Sequence, residues 1–312
     1  MESIKRKIIS LTPNRIIYLI HTLRLYPHYL KAKSKNKNAA IPSVDFYSDE
    51  KTVDLITEKR MSLSRFGDGE FSWIIGKEIG GYQKYSAELQ LALTEVLTNQ
   101  NPKLLIGIPK RAFDSSCCDM YSKLGWGISH FELLPQIGKY LDENRLYADS
   151  CISRPYIDCK KNADFDAKFN NLKKIWNKQN VIIVEGEKTK FGVGNDLLDN
   201  ANSVRRIICP ATNAFEKLKE IESSIANNAD KNDLILAALG PAATVLAYDM
   251  CKAGYWILDI GHVDIEYMWY QNHALLREPI EGKYVNESGV KDDSDIYDSD
   301  RKYVISIIDR VQ

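Results

Sequence analysis

From residue 103 to residue 276 the chain alternates short apolar runs with amphipathic stretches, and few folds accept that pattern. "KLLIGIP" (103–109), "NVIIVEG" (180–186), "VRRIICP" (204–210), "DLILAALG" (233–240) and "YWILDIG" (255–261) are rich in Val, Ile and Leu, and each closes on proline or glycine. Among them lie "FDAKFNNLKKIWNKQ" (165–179), "GNDLLDNA" (194–201), "NAFEKLKEIESSI" (213–225), "PAATVLAYDMCKAG" (241–254) and "DIEYMWYQNHALL" (264–276), which read as helices. Strands apolar on both faces belong inside a covered sheet, and helical connections make neighbouring strands parallel. The sequence therefore predicts an α/β, Rossmann-like fold: a mostly parallel sheet with helices on both faces.

Ligands of such sheets collect outside the carboxyl ends of the strands. Here those ends read "GIPK", "VEGEKTKFGVGND", "CPATN", "ALGPAA" and "DIGHVD". Small residues let the main chain approach a ligand, and each following helix aims free N–H groups at the crevice, as a phosphate requires. The ligand-binding candidates on this rim are Gly186, Lys188, Gly192, Gly194, Asn195, Asp196, Gly240 and Pro241. Lys188 and Lys190 supply positive charge, while Asn195 or Asp196 caps the next helix or touches a ribose. The loop is not a dinucleotide fingerprint, because Leu197 stands at the third glycine position, and no G-K-[ST] makes it a P-loop. His262 and Asp264 in "DIGHVDIEY" are candidates for general-base or acceptor-binding work. Glu266 suits the dipole of a first helical turn equally well.

"SLSRFGDGEF" (62–71) sets Asp68 and Glu70 two apart, with Gly67 and Gly69 on either side of the aspartate. In an extended loop residues two apart point the same way, so these carboxylates would converge. Both stay ionised only with a cation or several donors between them. Oxygen ligands suit Mg²⁺ or Mn²⁺. Arg65 would reach a diphosphate bidentately, with Gly67 keeping the loop low. The competing reading is a solvated acidic turn in which Arg65 is a local ion-pair partner.

Lys+Arg and Asp+Glu number 42 each, which argues against a generally basic nucleic-acid binder. The charge is uneven, however: residues 1–40 hold nine Lys/Arg against Glu2, which is +8 and leaves −8 for the rest. "NRIIYLIHTLRLY" puts Ile16, Leu19, Ile20 and Leu23 on one helical stripe, followed by the basic linker "KAKSKNKN". Residues 1–40 thus read as a helical appendage. It either touches an anionic membrane surface or packs on its own domain or on a second subunit, as in a homodimer. Residues 41–280 read as the main domain and 281–312 as a C-terminal extension. No run of about 18 apolar residues spans a membrane. The start lacks a signal-peptide pattern and the six cysteines form no C-x-x-C pair, so a cytoplasmic protein with reduced thiols is expected.

"SRFGDGE", "GIP", "VIIVEG…GVGNDLL", "RIICPATNAF", "ALGPAATVLAYDM" and "DIGHVDIEYMW" resemble, in order, the GT-D-type glycosyltransferases of bacterial surface-glycan pathways, over roughly residues 50 to 280. The resemblance implies a Rossmann-like fold and transfer of a sugar from a nucleotide-sugar donor, UDP-linked with UDP-glucose as a candidate, to a glycan acceptor on a lipid or protein carrier. It also implies a D-x-E motif, here Asp68-Gly69-Glu70, working with a divalent metal and the donor diphosphate. The alternatives are a metal-dependent phosphohydrolase or nucleotidyltransferase using the same carboxylates, and a non-catalytic nucleotide-binding scaffold at the inner membrane face.

Overall fold

The computed structural model describes residues 14–78, 81, 83–285, 297 and 300–312. Residues 1–13 of the expected appendage and most of 286–299 lie outside them. Among the described residues nine strands run β1 (Asp45–Phe46), β2 (Ser62–Arg65), β3 (Leu104–Ile108), β4 (Leu146–Asp149), β5 (Asn180–Gly186), β6 (Ser203–Cys209), β7 (Leu234–Ala238), β8 (Trp256–Asp259) and β9 (Ile307–Arg310). The helices are α1 (Asn14–Asn36), α2 (Asp49–Lys59), α3 (Asp68–Ile74), α4 (Ala87–Thr98), α5 (Lys110–Phe113), α6 (Met120–Glu132), α7 (Leu134–Ile137), α8 (Phe165–Trp176), α9 (Leu218–Asn228), α10 (Pro241–Lys252), α11 (Val263–Gln271) and α12 (Arg301–Ser306).

The strands form one sheet in the order β1-β4-β3-β2-β8-β7-β5-β6-β9, and every pairing among them is parallel. Side chains alternate across it. Ile182, Val184, Ile235 and Ala237 face a core built with Leu93 and Val96 of α4, Ile221 and Ile225 of α9, and Leu246 of α10. Val181, Ile183, Leu234 and Leu236 face the opposite core, built with Val53 and Ile56 of α2, Leu172 and Trp176 of α8, and Trp269 of α11. Helices therefore cover both faces, and the continuous apolar strand runs are explained by burial on both sides.

The strand order fixes where a ligand fits. From β2 the chain moves outward one way through β3 and β4, whereas β8 leads the other way to β7, β5 and β6. The reversal lies between β2 and β8, and a crevice opens there at the carboxyl ends. The two strand ends are pinned together. Thr244 of α10 donates to the Arg65 carbonyl (2.8 Å) and to Asp259 (3.2 Å), while Ser64 donates to the Thr244 carbonyl (2.8 Å).

Two local expectations fail. Residues 194–201 form turns rather than a helix. Gly194 is left-handed (φ 77°), and the Asn195 side chain accepts from the Leu197 N–H (3.0 Å), an Asx turn that competes with helix. Asp68 opens helix α3 instead of lying in an extended loop. Within the segment 281–312, β9 adds to the sheet beside β6.

The α1 helix lies along α6. The Tyr18 hydroxyl accepts from the Tyr121 N–H (2.9 Å), and Tyr29 lies so close to Gly127 that a Cβ there would be 2.6 Å from its ring. Ile16, Leu19, Ile20 and Leu23 are on the other side, 39–62% exposed. Both sequence readings of this helix thus have a face: one packs on the domain and the other is open.

Candidate active site

A cavity of about 690 Å³ opens along the carboxyl ends of the strands. Its lining includes the ends of β2 (Arg65, Gly67, Asp68, Glu70), β8 (Gly261, His262), β7 (Gly240), β5 (Gly186, Thr189) and β6 (Pro210, Asn213). Of the sequence candidates it gathers Arg65, Gly67, Asp68, Glu70, Gly186, Gly240 and His262.

The acidic pair is built differently from the sequence expectation. Asp68 and Glu70 occupy the first turn of α3, where residues two apart do not share a direction. Asp68 is exposed on the rim. Glu70 folds back so that its Oε2 accepts from the Gly67 N–H (2.8 Å), the glutamate half of a capping box, since Gly67 has no side chain to supply the other half. A Cβ at Gly67 would stand 3.1 Å from that oxygen, so glycine permits the approach. Desolvation pushes the Glu70 carboxyl up to about 7, against the pull of its own and the Gly67 N–H groups; nearby Asp259 and Asp68 add to the rise. Although part of Glu70 faces the cavity, it holds or releases a proton near neutrality.

Arg65 departs from its expected role. Its Nε and Nη2 donate to the carbonyl and carboxylate of Asp259 (2.7 and 2.6 Å), and Nη1 donates to Ser150 O (3.2 Å) and Ser153 Oγ (2.5 Å). Four of a guanidinium's five donors are thereby committed to protein, so no bidentate fork remains for a diphosphate. Arg65 instead clasps β2, β8 and the turn after β4. Gly261 makes room for it, since a Cβ there would lie 2.7 Å from Nη2.

Asp264 is a buried hub and does not line the cavity. Its Oδ1 accepts from the Gly192 N–H (2.9 Å) and Asn195 Nδ2 (2.8 Å), and its Oδ2 pairs with buried Lys283 at 2.6 Å. Three hydrogen bonds and near-complete burial hold its carboxylate inside the protein, away from any acceptor in the cavity. Asp196 points to the outer surface, held by Lys173 (3.0 Å) and the Tyr267 hydroxyl (2.7 Å). Lys188, Gly192, Gly194, Asn195 and Pro241 also lie off the cavity lining. The Gly192–Asp196 stretch thus braces the site from behind through Asp264. Glu266 is likewise buried. Its Oε2 accepts from the Tyr156 and Ile157 N–H groups (2.8 and 2.9 Å), so a dipole role at the surface does not describe it.

Sequence reasoning missed the other arm of the cavity. Beyond Ser150 and Cys151 it is walled by Tyr121 and Trp126 of α6, Leu25 of α1, and Arg154, Asp158 and Arg277. Buried Asp158 accepts from Arg111 Nη1 (3.1 Å) and Trp126 Nε1 (3.4 Å) at Oδ2, and from Arg277 Nη2 (2.7 Å) and Ser122 Oγ (3.3 Å) at Oδ1. Burial alone would raise its pKa, but Arg154, Arg277 and Arg111 outweigh it and hold the carboxyl well below the ordinary range. These residues are scattered from 111 to 277, and no local spacing announces them.

The sequence model of the family described as "Glycosyltransferase GT-D fold" matches residues 63–288. The chain is 36% identical over 266 residues to "Glycosyltransferase GlyD" of Streptococcus pneumoniae serotype 4, covering 84% of this chain and 32% of that protein. It is also 36% identical over 279 residues to "Probable glycosyl transferase Gly" of Streptococcus gordonii, covering 89% of this chain and 39% of that one. The chain therefore spans about a third of the length of these relatives. Among solved structures, the one described as "The highly conserved domain of unknown function 1792 has a distinct glycosyltransferase fold" superposes with a TM-score of 0.79 at 29% identity. That match covers 92% of this chain and all of that chain. "A New Glycosyltransferase (DUF1792) from Streptococcus sanguinis" gives 0.78 at 34% identity, over 86% of this chain and all of that one. Family profile, relatives and architecture agree, and the chain belongs to the GT-D-fold glycosyltransferase family.

Proposed function

We propose that the chain transfers a sugar from a nucleotide-diphosphate donor, UDP-linked, to a glycan acceptor on a lipid or protein carrier in bacterial surface-glycan synthesis. The observation that carries this reading is the cavity at the β2/β8 reversal, with Asp68, Glu70 and His262 in its lining. Glycines 186, 240 and 261 lie along it, where main chain can approach a diphosphate.

The residues fit a divalent cation of the kind completed by its substrate. Among the described residues no group of three or more His, Cys, Asp or Glu is placed to hold a metal by itself. Mg²⁺ and Mn²⁺ accept one or two carboxylates and take the remainder from phosphates and water. Asp68 offers an exposed carboxylate, and Glu70 offers the oxygen that Gly67 does not use. When bound, such a cation supplies neutralisation of the charge that builds on the leaving nucleoside diphosphate. The chain's own contribution is positional: α3 fixes both acids at one end of the crevice, and Arg65 with Thr244 locks the strand ends beneath. Half-buried His262 stands at the start of α11 and is the group we assign to take the acceptor proton. A thermal-shift panel of nucleotide sugars with and without Mn²⁺ tests this, because a ligand of the folded state raises the melting temperature with occupancy. A UDP-sugar is expected to raise it by several degrees only when Mn²⁺ is present. An equal shift in EDTA, or none with any nucleotide, contradicts the reading.

We further propose that α1 rests on an anionic lipid surface. No described helix is long and apolar enough to cross a membrane. The open stripe of Ile16, Leu19, Ile20 and Leu23 is accompanied along α1 by Arg15, Arg24, Lys31, Lys33 and Lys35, and no acid occurs in that helix. Each cation near such a surface contributes roughly 1 kcal/mol, and the stripe adds a shallow anchor. The full chain is expected to co-sediment with vesicles containing phosphatidylglycerol at low salt and to leave them at high salt. The variant Leu19→Ser/Leu23→Ser should stay in the supernatant. Indifference of the unmodified chain to these vesicles refutes the contact.

A further inference from the structure

We propose that the arm of the cavity under α6 is a separate oxyanion subsite. In it Arg277 receives a phosphate on the acceptor, while the donor lies in the opposite arm. The name "acceptor" rests on the glycosyl-transfer reading; the anion site itself does not.

The strand order separates the two arms. One side of the β2/β8 reversal carries the ends of β7, β5 and β6, with Gly240, Gly186, Thr189 and Pro210 on the cavity wall and no arginine there. The other side carries the turn after β4 and the α6 wall, with Arg154, Arg277, Tyr121 and Trp126. Small residues suit a nucleotide that needs close main-chain approach. Guanidinium groups beside aromatic faces suit an anionic sugar or carrier head group.

Among the described residues, Asp158 serves two guanidinium groups at once. Arg111 and Arg277 both pair with it, while Arg154 has partners of its own, Glu266 among them. Both Asp158 oxygens are saturated by Arg111, Trp126, Arg277 and Ser122. Glu266 is fully buried and turns its Oε2 to the Tyr156 and Ile157 N–H groups. One carboxylate does not neutralise both Arg111 and Arg277, and in a partly enclosed pocket a guanidinium attracts an anion more strongly than in water. Arg277 is the group best placed to use it. Among the described residues it donates only to Asp158, through one Nη2 contact at 2.7 Å, so most of a five-donor fork stays available. Its guanidinium is also 6.0 Å from the Tyr121 ring, and Asp158 anchors it from below. The site is thus preorganised: Arg111 and Ser122 fix Asp158, Asp158 fixes Arg277, and Trp126 adds a flat wall for a pyranose.

Calorimetric titration of the full chain with glucose 1-phosphate and with a short isoprenyl phosphate tests this, each with and without saturating UDP and Mn²⁺. The subsite predicts binding that UDP leaves within about threefold, and that Arg277→Gln weakens about tenfold with UDP affinity unchanged. Tighter binding of the isoprenyl phosphate assigns the anion to a lipid-carrier head group; equal or weaker binding assigns it to a phosphate on the acceptor sugar. If UDP displaces either probe competitively in the unmodified protein, the arginines belong to the donor site and the proposal falls. Absence of binding by both probes overturns it too. These arms are read in unmodified protein, so an unstable variant does not blunt the test. Should UDP itself fail to bind, the donor reading fails, while the titrations without UDP still decide the anion site.

Discussion

Asp68→Asn leaves the melting temperature nearly unchanged and lowers sugar transfer about 10²–10³-fold, the loss found when one contact to developing negative charge is removed. The Asp68 side chain is exposed at the first position of α3, and among the described residues no donor holds its carboxylate. The substitution therefore removes a favourable helix-dipole interaction, a small matter for stability, and one candidate cation ligand. Glu70→Gln is expected to lose transfer as well, because its amide oxygen can keep the Gly67 N–H but is a poor cation ligand. Initial rates with UDP-sugar and Mn²⁺, read beside thermal melts, separate the two effects. Near-normal transfer by Asp68→Asn removes the cation from the account. Normal nucleotide binding with no transfer by the unmodified chain favours the non-catalytic scaffold.

Lys283→Met costs about 3–5 kcal/mol, because it strands a buried carboxylate. Lys283 and Asp264 are each 1% exposed and are joined at 2.6 Å. In a domain of this size that loss lowers the melting temperature by on the order of 10 °C. The double variant Lys283→Met/Asp264→Asn should recover most of it. The uncompensated charge is then gone, while the remaining amide oxygen still accepts from Gly192 and Asn195. A double variant as unstable as the single one would show that Lys283 matters through packing and not through Asp264. An unchanged melt for Lys283→Met would contradict the burial of the pair.

The sheet was legible because its strands are buried on both faces, and continuous Val/Ile/Leu runs such as 181–184 and 234–236 leave no other period to read. The carboxyl-end rim was legible for the same reason, and with it Gly186, Gly240 and His262. Side-chain direction was not. "GDGE" reads as a loop from its glycines, yet Gly67 serves as the N-cap and lets Glu70 fold back. Arg65 and Asp264 were chemically plausible ligands, but their partners Asp259, Ser153 and Lys283 are 194, 88 and 19 residues away. The arginine arm was hidden altogether, because Arg111, Arg154, Asp158 and Arg277 meet only once α6 and the turn after β4 are in place.

A crystal of the full chain grown with UDP and MnCl₂, with anomalous data collected at the manganese edge, tests the central claim most directly. The account predicts one manganese peak bonded to the Asp68 carboxylate and to the diphosphate, with the nucleotide running from the β2/β8 reversal towards Gly240 and Gly186. A nucleotide at the amino-end rim of the sheet, or manganese bound away from α3, would contradict it.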